Sequence, residues 1–556
     1  MEKQNILNKI KNKFIELLMK PQKVSFLKFF FYITMYTLIV FNSEFITRFW
    51  SIPEVSDNIF ITLTIPFVLI SVIILFYVIM TPPVIGKYII AISFITSAIV
   101  LYMIKFYGIG MDYDMVVNFA KTDTAEADSY FNLYSFLFVT LIGAIPAIII
   151  ARVKFKPMKW YNHILHRLYL IIIALGILFS CGSFLYKEYT FILRNNHHLY
   201  VKMVPVYLGN VYKYVRDTYF SDPLPYRVQG LDAKLIPAKN DKPNLFVFVI
   251  GETARAKNFS HYGYERETNK YTQKQDVIVP KNVSSCATST AKSLPCMLSS
   301  LKRTDYSYSI ADSQDNVLDI LYRAGASVLW IDNNSSDYNV AKKERVKKKF
   351  TDSDNAKYCK DKVCYDMLLL NNFDDEISAL EKDNKFVVFH TIGSHGPKYY
   401  QRYPKEFEVF KPACNNPEVS RCDNKHLINT YDNSILYTDF VLSEIIEKLK
   451  TYQDKYNVAM LYVSDHGESL GENGIYLHGI PYSIALKVQT KIPLIMWVPD
   501  QYADANGIDK KCLLKNANDK SNEYSHDNIF HSLLGAYGVS TKIRNDRLDI
   551  FAGCKK

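Results

Sequence analysis

The chain has 556 residues, 49% of them hydrophobic and 22% charged, which excludes a disordered or collagen-like polypeptide and implies more than one domain at roughly 150 residues each. The formal net charge is +11, but residues 1–240 hold 24 Lys and Arg against 14 Asp and Glu, and the rest hold 42 against 41. The positive excess belongs to an apolar half, so it carries no argument for nucleic acid as a partner.

Five apolar runs, at 24–41, 59–80, 88–104, 130–151 and 168–186, are long enough to cross a bilayer, and only the first contains a charge, Lys28. About 20 apolar residues cover ~30 Å of hydrocarbon; the third run is short and borrows the flank at 105–107. Basic loops sit on the cytoplasmic side of such proteins. Residues 1–23 carry six Lys against two Glu, and the loop after the fourth run carries Arg152, Lys154, Lys156, Lys159 and Arg167 with no acid. The loop after the third run is acidic, with Asp112, Asp114, Asp123, Glu126 and Asp128. These charges predict an amino terminus inside and, after five spans, everything beyond residue 186 outside. The expected domains are therefore a membrane domain at 1–186, a connector at 187–240 and a soluble outer domain at 241–556. In the connector Tyr200, Val204, Tyr207, Val211 and Tyr214 have helical spacing, which fits either an interfacial amphipathic helix or a linker helix packed on the globular domain.

From Pro243 onward, short apolar runs at 245–250, 327–331, 386–390, 458–463 and 492–498 alternate with helix-like stretches such as 317–323 and 434–449. Continuous apolar strands are those buried on both faces of a mainly parallel sheet. Four of the runs end in polar groups: Gly251-Glu252-Thr253, Asp332-Asn333-Asn334, Gly393-Ser394-His395-Gly396 and Ser464-Asp465-His466-Gly467-Glu468. Ligands of open α/β sheets bind beyond the carboxyl ends of the strands, and carboxylates mixed with imidazoles suit zinc. Asp465 and His466 are placed to reach one metal from a turning backbone, with Glu252 as a third ligand. The reacting group should be a hydroxyl within 284–293, whose several Ser and Thr residues composition does not separate. Cys286/Cys296, Cys359/Cys364 and Cys414/Cys422 are closely spaced pairs in the outside half, where an oxidising compartment favours disulfides; six cysteines allow 15 connectivities, and a zinc cluster is the rival use. Cys512 and Cys554 are left open, as a further bridge or as thiols.

Together the segments 249–255, 285–297, 332–335, 394–397, 431–434 and 464–470, with His478 and His526, resemble the lipid A phosphoethanolamine transferases of Gram-negative inner membranes, members of the alkaline phosphatase and sulfatase superfamily. The resemblance implies a five-span α-helical membrane domain joined to a periplasmic α/β domain of alkaline-phosphatase type. It implies Thr290 as nucleophile, zinc held by Glu252, Asp465, His466 and Thr290, and His395 with His478 binding a second zinc or the phosphoryl group. His526 would serve behind the ligands or at a helix start, and Asn118 and Glu126 would contact a lipid headgroup. The donor would be phosphatidylethanolamine, the acceptor lipid A or lipooligosaccharide, and the protein a membrane-embedded monomer. The chain departs from the family at Tyr338, where a Lys is common. A related alternative is a glycerophosphate transferase of the lipoteichoic acid synthase type; the Cys-x-Pro-x-Arg signature of a sulfatase is absent from the sequence.

Overall fold

The computed structural model describes residues 21–83, 85–122, 130, 132–334, 336–342, 346–348, 357–360 and 363–556. The chain forms two compact units, Met1–Val116 with Phe131–Asp217, and Val117–Tyr130 with Thr218–Lys556. The stretch 187–240 is thus shared between them.

The first unit is helical: α1 (Phe26–Tyr36), α2 (Ser43–Trp50), α3 (Ile59–Met80), α4 (Gly86–Tyr107), the first residues of α5 (Tyr113–Lys121), then α6 (Leu133–Arg152), α7 (Trp160–Asn195) and α8 (Tyr207–Val215). Helices α3, α4, α6 and the part of α7 at Trp160–Thr190 are each long and apolar enough to span a membrane. The first expected span is not straight: α1 continues through a π-helical turn, Thr37–Phe41, and meets α2 at a bend of 56°. Asn42 explains the bend. Its buried amide donates to the carbonyls of Thr37 at 3.0 Å and Val204 at 2.9 Å and accepts from the Val204 N–H at 3.0 Å. An amide that bonds the backbone in this way competes with the helical ladder. Gly108, at φ +75°, ends α4. A Cβ on Gly143 would lie 2.7 Å from that of Ala98, so glycine lets α6 approach α4 closely. Lys23–Val24 pairs in parallel with Lys154–Phe155, which brings Lys23, just before the first span, to the same end of the bundle as the basic loop after the fourth.

The second unit is built on a six-stranded sheet: β1 (Asn244–Gly251), β2 (Ser327–Asp332), β3 (Val346–Lys348), β4 (Lys385–His390), β5 (Asn457–Ser464) and β6 (Leu494–Trp497), in the order β6-β5-β1-β4-β2-β3. All pairs are parallel except β5 with β6. Residues 244–251 and 457–464 are buried throughout, as a strand covered on both faces requires. Phe246, Phe248, Ile250, Trp330, Val388 and Leu461 form one core with α9 (Thr290–Leu298), α10 (Val317–Arg323) and α12 (Ile529–Tyr537). The long α11 (Asn424–Lys450) packs on β5. Strand register aligns the carboxyl edge of the sheet. Gly251 pairs with Ser464, Ile250 with His390 and His390 with Asp332, so four strand ends are level and the residues just beyond them become neighbours.

Candidate active site

Glu252, Asp465 and His466 are the group among the described residues whose ligand atoms all lie within 4.8 Å of one another. The Asp465 N–H donates to the Gly251 carbonyl at 2.9 Å, so the ladder between β1 and β5 runs one step beyond both strands. Thr253 holds a left-handed conformation, φ +49°, unusual for a β-branched residue. Two bonds keep it there: its N–H donates to Asp465 Oδ1 at 3.1 Å and its carbonyl accepts the Tyr431 hydroxyl at 2.6 Å. Gly467 is needed for space, since a Cβ there would meet the Val488 carbonyl at 2.1 Å.

Thr290 begins α9 and is 6% exposed. Its hydroxyl donates to the Glu252 carboxylate, at 3.2 Å to Oε2 and 3.3 Å to Oε1, and lies 3.3 Å from His466 Nε2. His466 Nδ1 faces the Gly467 carbonyl at 2.8 Å, so Nδ1 carries the proton and Nε2 offers its lone pair to the cluster. Burial pushes the His466 imidazole down to about 4, which leaves it neutral, the ligating form. Asp465 Oδ1 accepts two backbone N–H groups, from Thr253 and, at 2.6 Å, from His466. Asp465 Oδ2 is buried without a hydrogen-bond partner and lies 3.3 Å from His466 Nε2. A buried carboxylate oxygen left open beside a neutral imidazole and a second carboxylate fits a bound divalent cation.

Of the other expected residues, His395 and His478 stand together, ring centroids 5.7 Å apart, with His478 4.4 Å from His466. His478 Nδ1 lies 3.4 Å from the Glu468 carboxylate, whose pKa burial raises to about 8. His526 is behind Thr290: Nδ1 accepts the Cys286 N–H at 3.0 Å and Nε2 donates to the Ser464 carbonyl at 2.9 Å. Ser293, one turn after Thr290, donates to the Asp465 carbonyl at 2.5 Å. Asn118 is buried on α5, in the segment Val117–Tyr130 that groups with the second unit; Glu126 lies outside the described residues. Tyr338 is buried in the core at φ +47°, and the nearby Lys342 turns to Asp319 at 3.4 Å and the Gln314 carbonyl at 2.8 Å.

Disulfides join Cys286–Cys296, Cys359–Cys364, Cys414–Cys422 and Cys512–Cys554; the first ties the segment before Thr290 to α9. Among the described residues Cys181 is the one free cysteine. Sequence reasoning assigned Asn334 no role, yet its amide donates to Glu252 Oε2 at 2.8 Å and to the Thr391 carbonyl at 3.1 Å. The signal was its place at a strand end level with Glu252.

The Sulfatase family model matches residues 244–539, and the phosphoethanolamine transferase EptA/EptB model matches 68–219. Among curated proteins, phosphoethanolamine transferase EptA of Salmonella typhimurium is 38% identical over 470 residues, covering 83% of this chain and 84% of that protein. Phosphatidylethanolamine transferase Mcr-1 of Escherichia coli is 35% identical over 473 residues, 83% and 87% of the two chains. The solved structure of the integral membrane protein lipooligosaccharide phosphoethanolamine transferase A of Neisseria meningitidis superposes with a TM-score of 0.90 at 34% identity, over 96% of this chain and 100% of that one. Sheet, strand-end cluster and spanning helices together define a membrane-anchored enzyme of the alkaline phosphatase and sulfatase superfamily. Within that class, the chain belongs to the phosphoethanolamine transferase family. It is a transferase of the inner membrane, with its catalytic domain in the periplasm.

Proposed function

We propose that this enzyme moves phosphoethanolamine from phosphatidylethanolamine to lipid A or lipooligosaccharide in two steps, with Thr290 as the covalent carrier. The observation that carries the reading is the Thr290 hydroxyl, at the start of a helix and within 3.3 Å of both Glu252 and His466. The names of the Salmonella and Neisseria relatives support the transferred group, and the Neisseria protein's name supports the acceptor.

Glu252, Asp465, His466 and Thr290 would hold a zinc ion. Zinc, when bound, supplies Lewis acidity that raises the acidity of a hydroxyl and accepts charge from phosphoryl oxygens. The remaining chemistry belongs to the chain's own groups. The Glu252 carboxylate accepts the Thr290 hydrogen bond and orients the oxygen lone pairs outward. In the first step the Thr290 Oγ1–P bond forms and the bond from phosphorus to the diacylglycerol oxygen breaks; the proton of Thr290 ends on that leaving oxygen. In the second, an oxygen of the acceptor attacks the same phosphorus, Oγ1 leaves and the acceptor's proton returns to Thr290. One site then serves two lipids in turn. The amino end of α9 contributes a favourable field for the phosphoryl charge, and His395 and His478 line the adjoining space as a second-metal or phosphoryl site.

The test is to incubate the full-length protein with phosphatidylethanolamine and no acceptor. Mass spectrometry should find one phosphoethanolamine on the peptide containing Thr290, and none on Thr290→Ala, which should fold and lose transfer. A modified Thr288, Ser289 or Ser293, or normal transfer by Thr290→Ala, would refute the assignment.

A further inference from the structure

The turn between β4 and His395 touches two of the proposed functional residues at once. A Cβ on Gly393, which sits at φ +47°, would come within 2.7 Å of the Glu252 carbonyl, and the Ser394 N–H donates to that carbonyl at 3.1 Å. His395 comes directly after, its own N–H bonded to the Ile392 carbonyl at 3.1 Å. The Glu252 backbone therefore rests against the same short turn that carries His395. That turn is anchored by a residue 26 positions before Ile392, outside every motif singled out for chemistry. Asp366 is 2% exposed, and its Oδ1 accepts the Ile392 N–H at 2.9 Å while Oδ2 accepts the Gly393 N–H at 2.9 Å. Oδ1 also accepts the Asn333 amide at 2.7 Å. The same amide reaches the Cys364 carbonyl at 3.2 Å, and Cys364 is bridged to Cys359.

We propose that Asp366 is a positioning residue of the active site, whose carboxylate sets the 391–395 turn and through it the placement of Glu252 and His395. The inference rests on the reading that those two residues serve the transfer. A carboxylate is suited to the task, since it alone among side chains of this size accepts several N–H donors and donates none. The disulfide hairpin Cys359–Cys364 gives it a fixed base, so the link from bridge to turn to ligand is continuous. Groups of this kind behind metal ligands alter affinity by about 10–100-fold when removed.

Asp366→Asn keeps the shape but turns an N–H donor toward donors. In the full-length enzyme its zinc affinity, read by competition with a chromophoric chelator, should fall about 10–100-fold. Its kcat should fall while the KM for phosphatidylethanolamine stays near the wild-type value, because buried Asp366 offers no surface to a lipid. Asn333→Ala removes one of the three bonds and should weaken zinc about fivefold; it keeps the test decisive if Asp366→Asn fails to fold. Wild type that loads zinc and forms the Thr290 adduct, alongside an Asp366→Asn or Asn333→Ala protein that does both equally well, would overturn the positioning role alone. Thermal destabilisation of a variant with unchanged zinc affinity would overturn it too. Wild type that bound no zinc would instead remove the functional reading on which the role depends.

Discussion

Asp465 and Asp439 are both buried carboxylates of the periplasmic unit, yet their surroundings differ in one respect. Asp439, on α11, is saturated: Oδ1 accepts from the Asn269 amide at 3.2 Å and from the Thr272 hydroxyl, and Oδ2 from the backbone N–H groups of Tyr271 at 2.8 Å and Thr272 at 3.3 Å. Asp465 has the same backbone support on Oδ1 and nothing on Oδ2. A saturated carboxylate locks a loop. An open one is tolerated in a buried place only if something else completes it, and a cation is what a carboxylate oxygen facing His466 and Glu252 would accept. An open oxygen alone does not mark a ligand, since Asp549 Oδ2 is open too but faces Arg544 at 3.8 Å; what sets Asp465 apart is an open oxygen within the cluster of His466 and Glu252.

The largest expected effect comes from exchanging the same atom in both places. Asp465→Asn should reduce transfer by on the order of a thousandfold or more, as loss of a group acting in the reaction centre does, and abolish tight zinc binding. The metal-free form of that variant should be more stable than the metal-free wild type by about 1–3 kcal/mol, because an uncompensated buried charge is gone. Asp439→Asn should do the reverse: stability falls by about 3 kcal/mol as an amide meets donors, and zinc affinity is unchanged. Equilibrium unfolding with and without zinc, beside the chelator titration, reads the two stabilities and the two zinc affinities, and a transfer assay reads the fifth quantity. Equal zinc loss in both variants would erase the distinction.

A smaller effect is expected from the metal itself. A ligand at 100 times its dissociation constant stabilises the folded state by about 2.7 kcal/mol, so chelation should lower the melting temperature of wild type and of Asp439→Asn alike. Asp465→Asn should not respond. A wild-type melting curve indifferent to chelator and to added zinc would mean that Oδ2 is completed in some other way.

The same division between local and distant partners decides which features were legible in the sequence. Strand ends carrying Glu252, Asp465 and His466 were readable because each group directly follows an apolar run, and parallel register then places the two strand ends together without further instruction. The direction of β6 was not readable, since an apolar run looks the same in either sense. Nor was the bend after Phe41, which depends on Asn42 meeting Val204, 162 positions away. Asp366 escaped for that reason as well: its partners Ile392 and Gly393 enter through backbone N–H groups, which leave no mark on residue type. Cys512–Cys554, 42 residues apart, could be left open but not joined by spacing alone.

The smallest effect tests a residue that behaves like Asp439 yet holds the segment leading to Thr290. His526 has both ring nitrogens engaged, accepting from Cys286 and donating to Ser464, and burial pushes its pKa down to about 4 from an ordinary 6.5. The unfolded chain takes up a proton near pH 6.5 while the folded one resists until about pH 4, so stability is lost as the pH falls through that window. Between pH 7 and pH 5 the loss from this one group is about 2 kcal/mol. His526→Asn keeps an acceptor for the Cys286 N–H and has no titrating ring. It should start about 1 kcal/mol less stable at pH 7, for the bond to Ser464 that is lost, and then decline less steeply than wild type, so that the two metal-free curves converge or cross before pH 5. Parallel curves would mean that His526 takes up a proton in the folded protein as readily as in the unfolded one, and so is charged there at pH 5. In that case Nδ1 could not accept from Cys286, and the segment leading to Thr290 would be held by its disulfide and by the bonds of Ser285 to Thr490 and of Thr288 to Ile480.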